Sequence, residues 1–275
     1  TSILINNWFM MYFLSVVLIG TVYPIFLDVI SSQKISVGPP FYHKLIAPFL
    51  IPFLFAMAIG PRLKWIRSDL KDKIYLISLL IISVLISFFI VKNFNTNILI
   101  NTILISSALY LFFITLRDFF NKKYKNFAQN TAHFGFSLLI LSILFNNLFS
   151  SEIITNLKVG ETYDNSKTKI VFESINQKKE KNYKSIIANF NITNSEGINN
   201  NLSPELRIYN QPNITTSEAD IKTTLMKDKF IVINLVQNQD YFNVRYQVKP
   251  FMLWIWLSVI MISIGGLVSF LQKRI

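Results

Sequence analysis

Cysteine is absent, which excludes disulfides, thiolate-ligated zinc, thiolate nucleophiles and thiol relays within this chain. Charge is scarce: Asp, Glu, Lys and Arg together make 15% of 275 residues, against about a quarter in an ordinary soluble domain. Histidine occurs twice, at His43 and His133, too rarely for a His-rich metal cluster. The eight glycines form no phosphate-binding loop, and no Ser/His/Asp set is spaced for acyl chemistry. The chain opens on Thr1 without a basic region or cleavage site behind it. It therefore reads as a piece of a longer protein and not as a chain led by a signal peptide.

What is present is apolar. Hydrophobic residues make 52% of the sequence, and long charge-free stretches alternate with short basic clusters, the texture of a membrane bundle. The formal charge of +12 could serve nucleic acid, but much of the excess lies in short loops beside apolar spans, where Lys and Arg set topology. Nucleic acid is therefore not expected as a partner; membrane lipid is.

A span needs about 20 apolar residues. Residues 8–27, 74–91, 98–116, 132–149 and 251–270 satisfy this, and 45–60 is a shorter sixth segment holding Pro48 and Pro52. The loop after the second segment carries Arg62, Lys64, Arg67, Lys71 and Lys73. The loop after the fourth carries Arg117, Lys122, Lys123 and Lys125, and Lys273 and Arg274 end the chain. The loops between hold Lys34 and Lys44, or Lys92. Positive charge collects on the cytoplasmic side, so six alternating spans put both termini inside and residues 150–249 outside. The expected fold class is an α-helical polytopic membrane protein with an inserted, mostly-β periplasmic domain. It divides into a bundle at 1–149, the outer domain at 150–249, and the last helix with its tail at 250–275.

The outer segment has strand texture. Ile170–Ile175, Ser185–Thr193, Glu205–Tyr209, Phe230–Val236 and Tyr241–Val248 are short runs rich in Ile, Val, Phe and Tyr. Phe242, Val244, Tyr246 and Val248 alternate with polar residues, giving one buried face. Asn194–Asn201 reads as a turn, and Thr215–Leu225 as a helical turn capped by Thr216 or Ser217.

Few residues promise chemistry. His43, in Gly38-Pro39-Pro40-Phe41-Tyr42-His43-Lys44, reads as an interfacial loop histidine. His133 lies two residues into an apolar span, where ionisable groups usually face protein or a cavity and have a role. Gly135 beside it leaves room for a helix or a flat ligand. Imidazole is a common metal and heme ligand, but an interfacial histidine bonded to a loop explains the position equally, and the residues alone leave both readings open. Trp254 and Trp256 suit an interfacial aromatic belt. Glu205, Arg207, Glu218 and Asp220 suit solvated ion pairs.

Several stretches, in order along nearly the whole chain, carry a resemblance. They are Gly20-Thr21-Val22-Tyr23-Pro24, Val37-Gly38-Pro39-Pro40-Phe41-Tyr42, Gly60-Pro61 and Ala132-His133-Phe134-Gly135. Beyond these come Pro204-Glu205-Leu206-Arg207-Ile208-Tyr209, Thr216-Ser217-Glu218-Ala219-Asp220-Ile221, and Val244-Arg245-Tyr246-Gln247-Val248-Lys249-Pro250 before Trp254-Ile255-Trp256. With this membrane map, the chain resembles the C-terminal portion of the CcmF family, the heme lyase subunit of cytochrome c maturation.

The resemblance implies a multi-pass protein of the bacterial inner membrane, or alternatively the mitochondrial inner membrane. The implied partners are a heme chaperone, apocytochrome c and other maturation subunits. The family joins substrate heme to the Cys-x-x-Cys-His of apocytochrome c through thioether bonds, and holds a second, b-type heme between two transmembrane histidines. His133 matches the second of those histidines, so the resemblance implies it as an axial ligand of heme iron. The family's Trp-rich outer loop, its two flanking histidines and the first b-heme ligand have no counterpart here, so no catalytic residue is assigned in this segment. The competing expectation is a membrane scaffold that docks maturation partners and binds no heme.

Overall fold

The computed structural model describes residues 2–31, 35–62, 73–94, 96–120, 127–194, 197–236 and 240–272. It forms two compact units, one of residues 1–144 with 257–275 and the other of residues 145–256. Of the basic residues that the topology argument used, Lys34, Lys64, Arg67, Lys71, Lys122, Lys123, Lys125, Lys273 and Arg274 lie outside the described residues.

The first unit is helical. α1 is Ser2–Ser31, α2 is Pro39–Ile59, α3 is Lys73–Val91, α4 is Ile98–Phe120, α5 is Phe127–Phe149 and α6 is Met252–Gln272. All six are long and apolar enough to cross a membrane. α2 starts where Gly38 is extended and Pro39 and Pro40 take the first helical positions, which need no backbone donor. His43 therefore sits in the first turns of a helix and not in a loop, a correction with a simple cause. Consecutive prolines halt a helix from behind but start one ahead of them.

Pro48 and Pro52 lie inside α2 without ending it. Tyr12 of α1 donates to the Leu45 carbonyl at 2.9 Å, and its ring meets Phe49 at 4.3 Å, so α1 packs along the proline-bearing stretch. In α3, Ser83 donates to the Leu79 carbonyl and Ser87 to that of Ser83, so these hydroxyls are satisfied within their own helix. α4 is the central helix, buried continuously from Ile105 to Leu111. α1, α3 and α6 are exposed along most of their length, as lipid-facing helices are. α5 and α6 touch through glycine: a Cβ at Gly135 would lie 3.0 Å from the Ser258 carbonyl and the Ile262 nitrogen. The space beside Gly135 is thus filled by a helix, not left for a flat ligand.

The second unit is a β-sandwich. Its strands are β1 Ser151–Leu157, β2 Thr162–Asp164, β3 Thr168–Lys179, β4 Tyr183–Asn194, β5 Asn199–Leu202, β6 Glu205–Tyr209, β7 Thr215–Glu218, β8 Asp220–Thr223, β9 Lys227–Leu235 and β10 Phe242–Pro250. One sheet runs β1-β10-β9-β8, and the other β2-β3-β4-β6-β7 with β5 also paired to β4. Between them lie Ile170, Phe172, Phe190, Ile192, Ile231, Ile233, Val244 and Tyr246, supplied by alternate positions of four strands.

The segment Thr215–Leu225 is not helical. β7 joins one sheet against β6 and β8 joins the other against β9, with Ala219 as the step between them. β-branched Thr215 and Thr216 favour the extended form, and both sheets offer an open edge whose backbone groups need partners. The expected turn at Asn194–Asn201 is partly strand as well: Gly197 turns the chain at φ +73, and Asn199 already pairs with Thr193.

Candidate functional site

α5 sorts its residues by helical spacing. Ala128, Ala132 and Gly135 lie on the side packed against α6, where a Cβ at Gly265 would meet Ala128 and Ala132. Phe134 packs on Phe112 and Phe119 of α4, with ring centroids 5.6 and 5.4 Å apart. Gln129 and His133, four apart, share a further face, and that face borders a cleft.

The cleft is walled by the ends of four helices. Asn6 comes from α1, and Ala56, Met57, Gly60, Pro61 and Arg62 from α2 and the 3-10 turn Gly60–Arg62 that continues it. Thr115 and Asp118 come from α4, and Gln129, Asn130 and His133 from α5. Two cavities, about 100 and 240 Å³, share Pro61, Gln129 and His133. The imidazole of His133 is half-buried and makes no hydrogen bond among the described residues.

Arg62 and Asp118 form the other half of the site. Arg62 Nη2 donates to both carboxylate oxygens of Asp118, at 2.7 and 2.9 Å, and its Nη1 donates to the Ala58 carbonyl at 2.9 Å. The two side chains are 11% and 14% exposed, which makes this a largely desolvated pair. Asn130 donates to the Asp118 carbonyl at 3.0 Å, and the Thr115 and Ser137 hydroxyls meet at 2.7 Å, tying α5 to α4 on either side of His133. The sequence reading placed Arg62 among topology charges and passed over Asp118. The available signal was the one carboxylate of α4, next to Arg117 at the end of an uncharged run.

The remaining candidates are scattered. His43 precedes Ile59 by sixteen positions, about 24 Å at 1.5 Å rise per residue, so the two histidines are not brought together. Trp254 Nε1 donates to the Leu225 carbonyl at 3.0 Å, which gives it a structural role, while Trp256 is 64% exposed. Arg207 bonds Glu205 at 3.0 Å and lies 3.9 Å from Glu218, on a surface where the sequence expected ion pairs. The adjoining Glu205 holds the Arg207 guanidinium above its ordinary pKa. Asp220 accepts from the Ser203 backbone at 2.6 Å and stands outside that pair. Among the described residues, no group of three or more His, Asp or Glu gathers as a metal cluster would.

The donor set is one imidazole without a hydrogen bond among the described residues, and one carboxylate on the same cavity, Asp118, already engaged by Arg62, which suits a single ligand to a ring-bound iron more than a cage for a bare ion. The comparisons agree with the architecture. Residues 148–250 match the family described as the CcmF C-terminal beta-sandwich. The whole chain aligns with "Cytochrome c-type biogenesis protein CcmF" of Pseudomonas fluorescens at 25% identity, over 44% of that protein. The chain is similar to CcmF proteins, and its residues 148–250 to their C-terminal β-sandwich. The CcmF of Escherichia coli is 24% identical over 99% of this chain and 43% of its own length. The solved structure named "Cytochrome c Heme Lyase CcmF" has the same fold, with TM-score 0.72 and 18% identity across 97% of this chain and 44% of that one. The chain thus spans under half the length of its CcmF relatives, as a multi-pass membrane protein with a β-sandwich.

Proposed function

We propose that this chain is the C-terminal region of a cytochrome c maturation heme lyase, with His133 as one axial ligand of a transmembrane b-type heme. The observation that carries this is His133 itself, an imidazole set within an apolar helix, open to a cleft and free of hydrogen bonds among the described residues. Support comes from its match to a family histidine and from the relatives' printed role in cytochrome c biogenesis.

When bound, the heme would supply one-electron chemistry at iron. The chain's own part is to hold and shield. α4 and α5, joined through Thr115–Ser137 and Asn130–Asp118, fix the helix that bears His133. Phe112 and Phe119 of α4 pack on Phe134 of α5 and hold the two helices together. The β-sandwich is assigned to the periplasmic side of the bacterial inner membrane, where it helps position the heme chaperone or apocytochrome c for thioether attachment.

The test is a reduced-minus-oxidised absorption spectrum of the purified full-length protein, wild type beside His133→Ala. A b-type band lost in the variant, with the protein still in the membrane, is the expected result. A band unchanged in the variant removes His133 as a ligand. No band even in wild type favours a scaffold that docks partners and binds no heme.

A further inference from the structure

We infer that Asp118, by cancelling the Arg62 charge, keeps the reduction potential of the iron held through His133 from being raised, an inference that rests on the ligand role proposed above. The three side chains line one cavity. The pair is 11% and 14% exposed at the end of helices that cross a membrane, where charge is costly and seldom kept without a task. Stability does not require it, because a buried ion pair contributes little over apolar packing of the same shape.

The geometry gives the pair a definite electrostatic character. Both Nη2 donors of Arg62 are spent on Asp118 and one Nη1 donor on the Ala58 carbonyl, so the guanidinium is held in place. Asp118 is anchored in turn, because its own backbone carbonyl takes the Asn130 amide. Two fixed, opposite charges beside the ligand cancel in sum. Iron changes its charge by one on oxidation, and in a low-dielectric cleft it feels any uncompensated neighbour strongly. Arg stays protonated under all working conditions. Loss of the Asp118 charge therefore leaves one positive charge beside the iron, which disfavours the ferric state and raises the potential.

The experiment is a spectroelectrochemical titration of the b-type band in the full-length protein. Asp118→Asn is expected to shift the midpoint upward. The double variant Arg62→Gln with Asp118→Asn, which removes both charges, is expected to return close to wild type. Arg62→Lys, which keeps the charge, is expected to leave the midpoint near wild type. A general loosening of the helix ends would move the single and double variants the same way, and that result overturns the inference, as does an unmoved Asp118→Asn. Should Asp118→Asn not accumulate in the membrane, Arg62→Gln alone reads the opposite charge: a lowered midpoint supports the inference and any other result overturns it. Failure of the ligand assignment is separately visible, as a b-type band that survives His133→Ala.

Discussion

Gly265 of α6 lies so close to Ala132 of α5 that a Cβ built on it would fall 2.7 Å from the Ala132 backbone nitrogen and 2.8 Å from the Ala132 Cβ. Backbone atoms cannot yield as a long side chain can, so any substituent here parts the helices. Its neighbour Gly266 has nothing within 4 Å. Gly265→Ala is expected to destabilise the helical unit by about 1–3 kcal/mol, the usual cost of overpacking. Gly266→Ala is expected to be neutral or slightly stabilising. Thermal unfolding of the two variants in detergent checks this, and equal midpoints would contradict it.

That contact shows what the sequence can and cannot convey. Length and hydropathy expose six helices, because spanning a bilayer constrains every residue of a span. The sandwich strands with alternating apolar residues, such as Phe242 to Val248, are legible for the same reason. Gly135 and Gly265 announce close packing but not against what, since the partner is remote in sequence. Thr215 to Thr223 misleads because a capping pattern is local, whereas the choice between two sheet edges is tertiary. His133 stands out as an ionisable residue in a span. Its companions do not: the separation of 56 positions between Arg62 and Asp118 leaves their pairing invisible until the helix ends converge.

Phe172 and Phe190 stack between the two sheets, with ring centroids 4.4 Å apart, and both are essentially inaccessible to water. Phe172→Ala leaves a cavity that a β-sandwich cannot collapse and is expected to cost about 3–5 kcal/mol. Hydrogen exchange of the β3 and β4 amides in the detergent-solubilised protein reads it. Protection falling by orders of magnitude there, with α4 unchanged, is the expected pattern.

Glu152 of β1 stands opposite Gln247 of β10 and accepts hydrogen bonds from Arg245 and Gln247. The Arg245 bond foremost, then that of Gln247, holds its carboxyl below the usual value near 4.5. A depressed folded pKa contributes stability that is present above the unfolded value and lost as pH falls through the folded one. Pairing of β1 with β10 is therefore expected to weaken in acid below about pH 4.5, modestly because the group is exposed. Glu152→Gln is expected to flatten that dependence and to lose some protection at neutral pH. Exchange rates of β1 amides across the acid range would show it, and an unchanged slope would contradict the assignment.

Tyr246 carries a hydroxyl buried in the sandwich core with no hydrogen-bond partner among the described residues. Desolvation pushes its pKa up to about 12. A buried hydroxyl without a partner is a net cost, so Tyr246→Phe is expected to be neutral or stabilising by about 1 kcal/mol, unlike most core substitutions. The ionised form is easier to reach in the unfolded chain, near the ordinary value of 10.0. The stability tied to this group is thus complete below about pH 10 and is lost as pH rises towards about 12. Unfolding midpoints of wild type and Tyr246→Phe should coincide or favour the variant near neutral pH, and diverge further in its favour in alkali. A variant less stable than wild type at neutral pH would mean that the hydroxyl has a partner after all, such as a buried water.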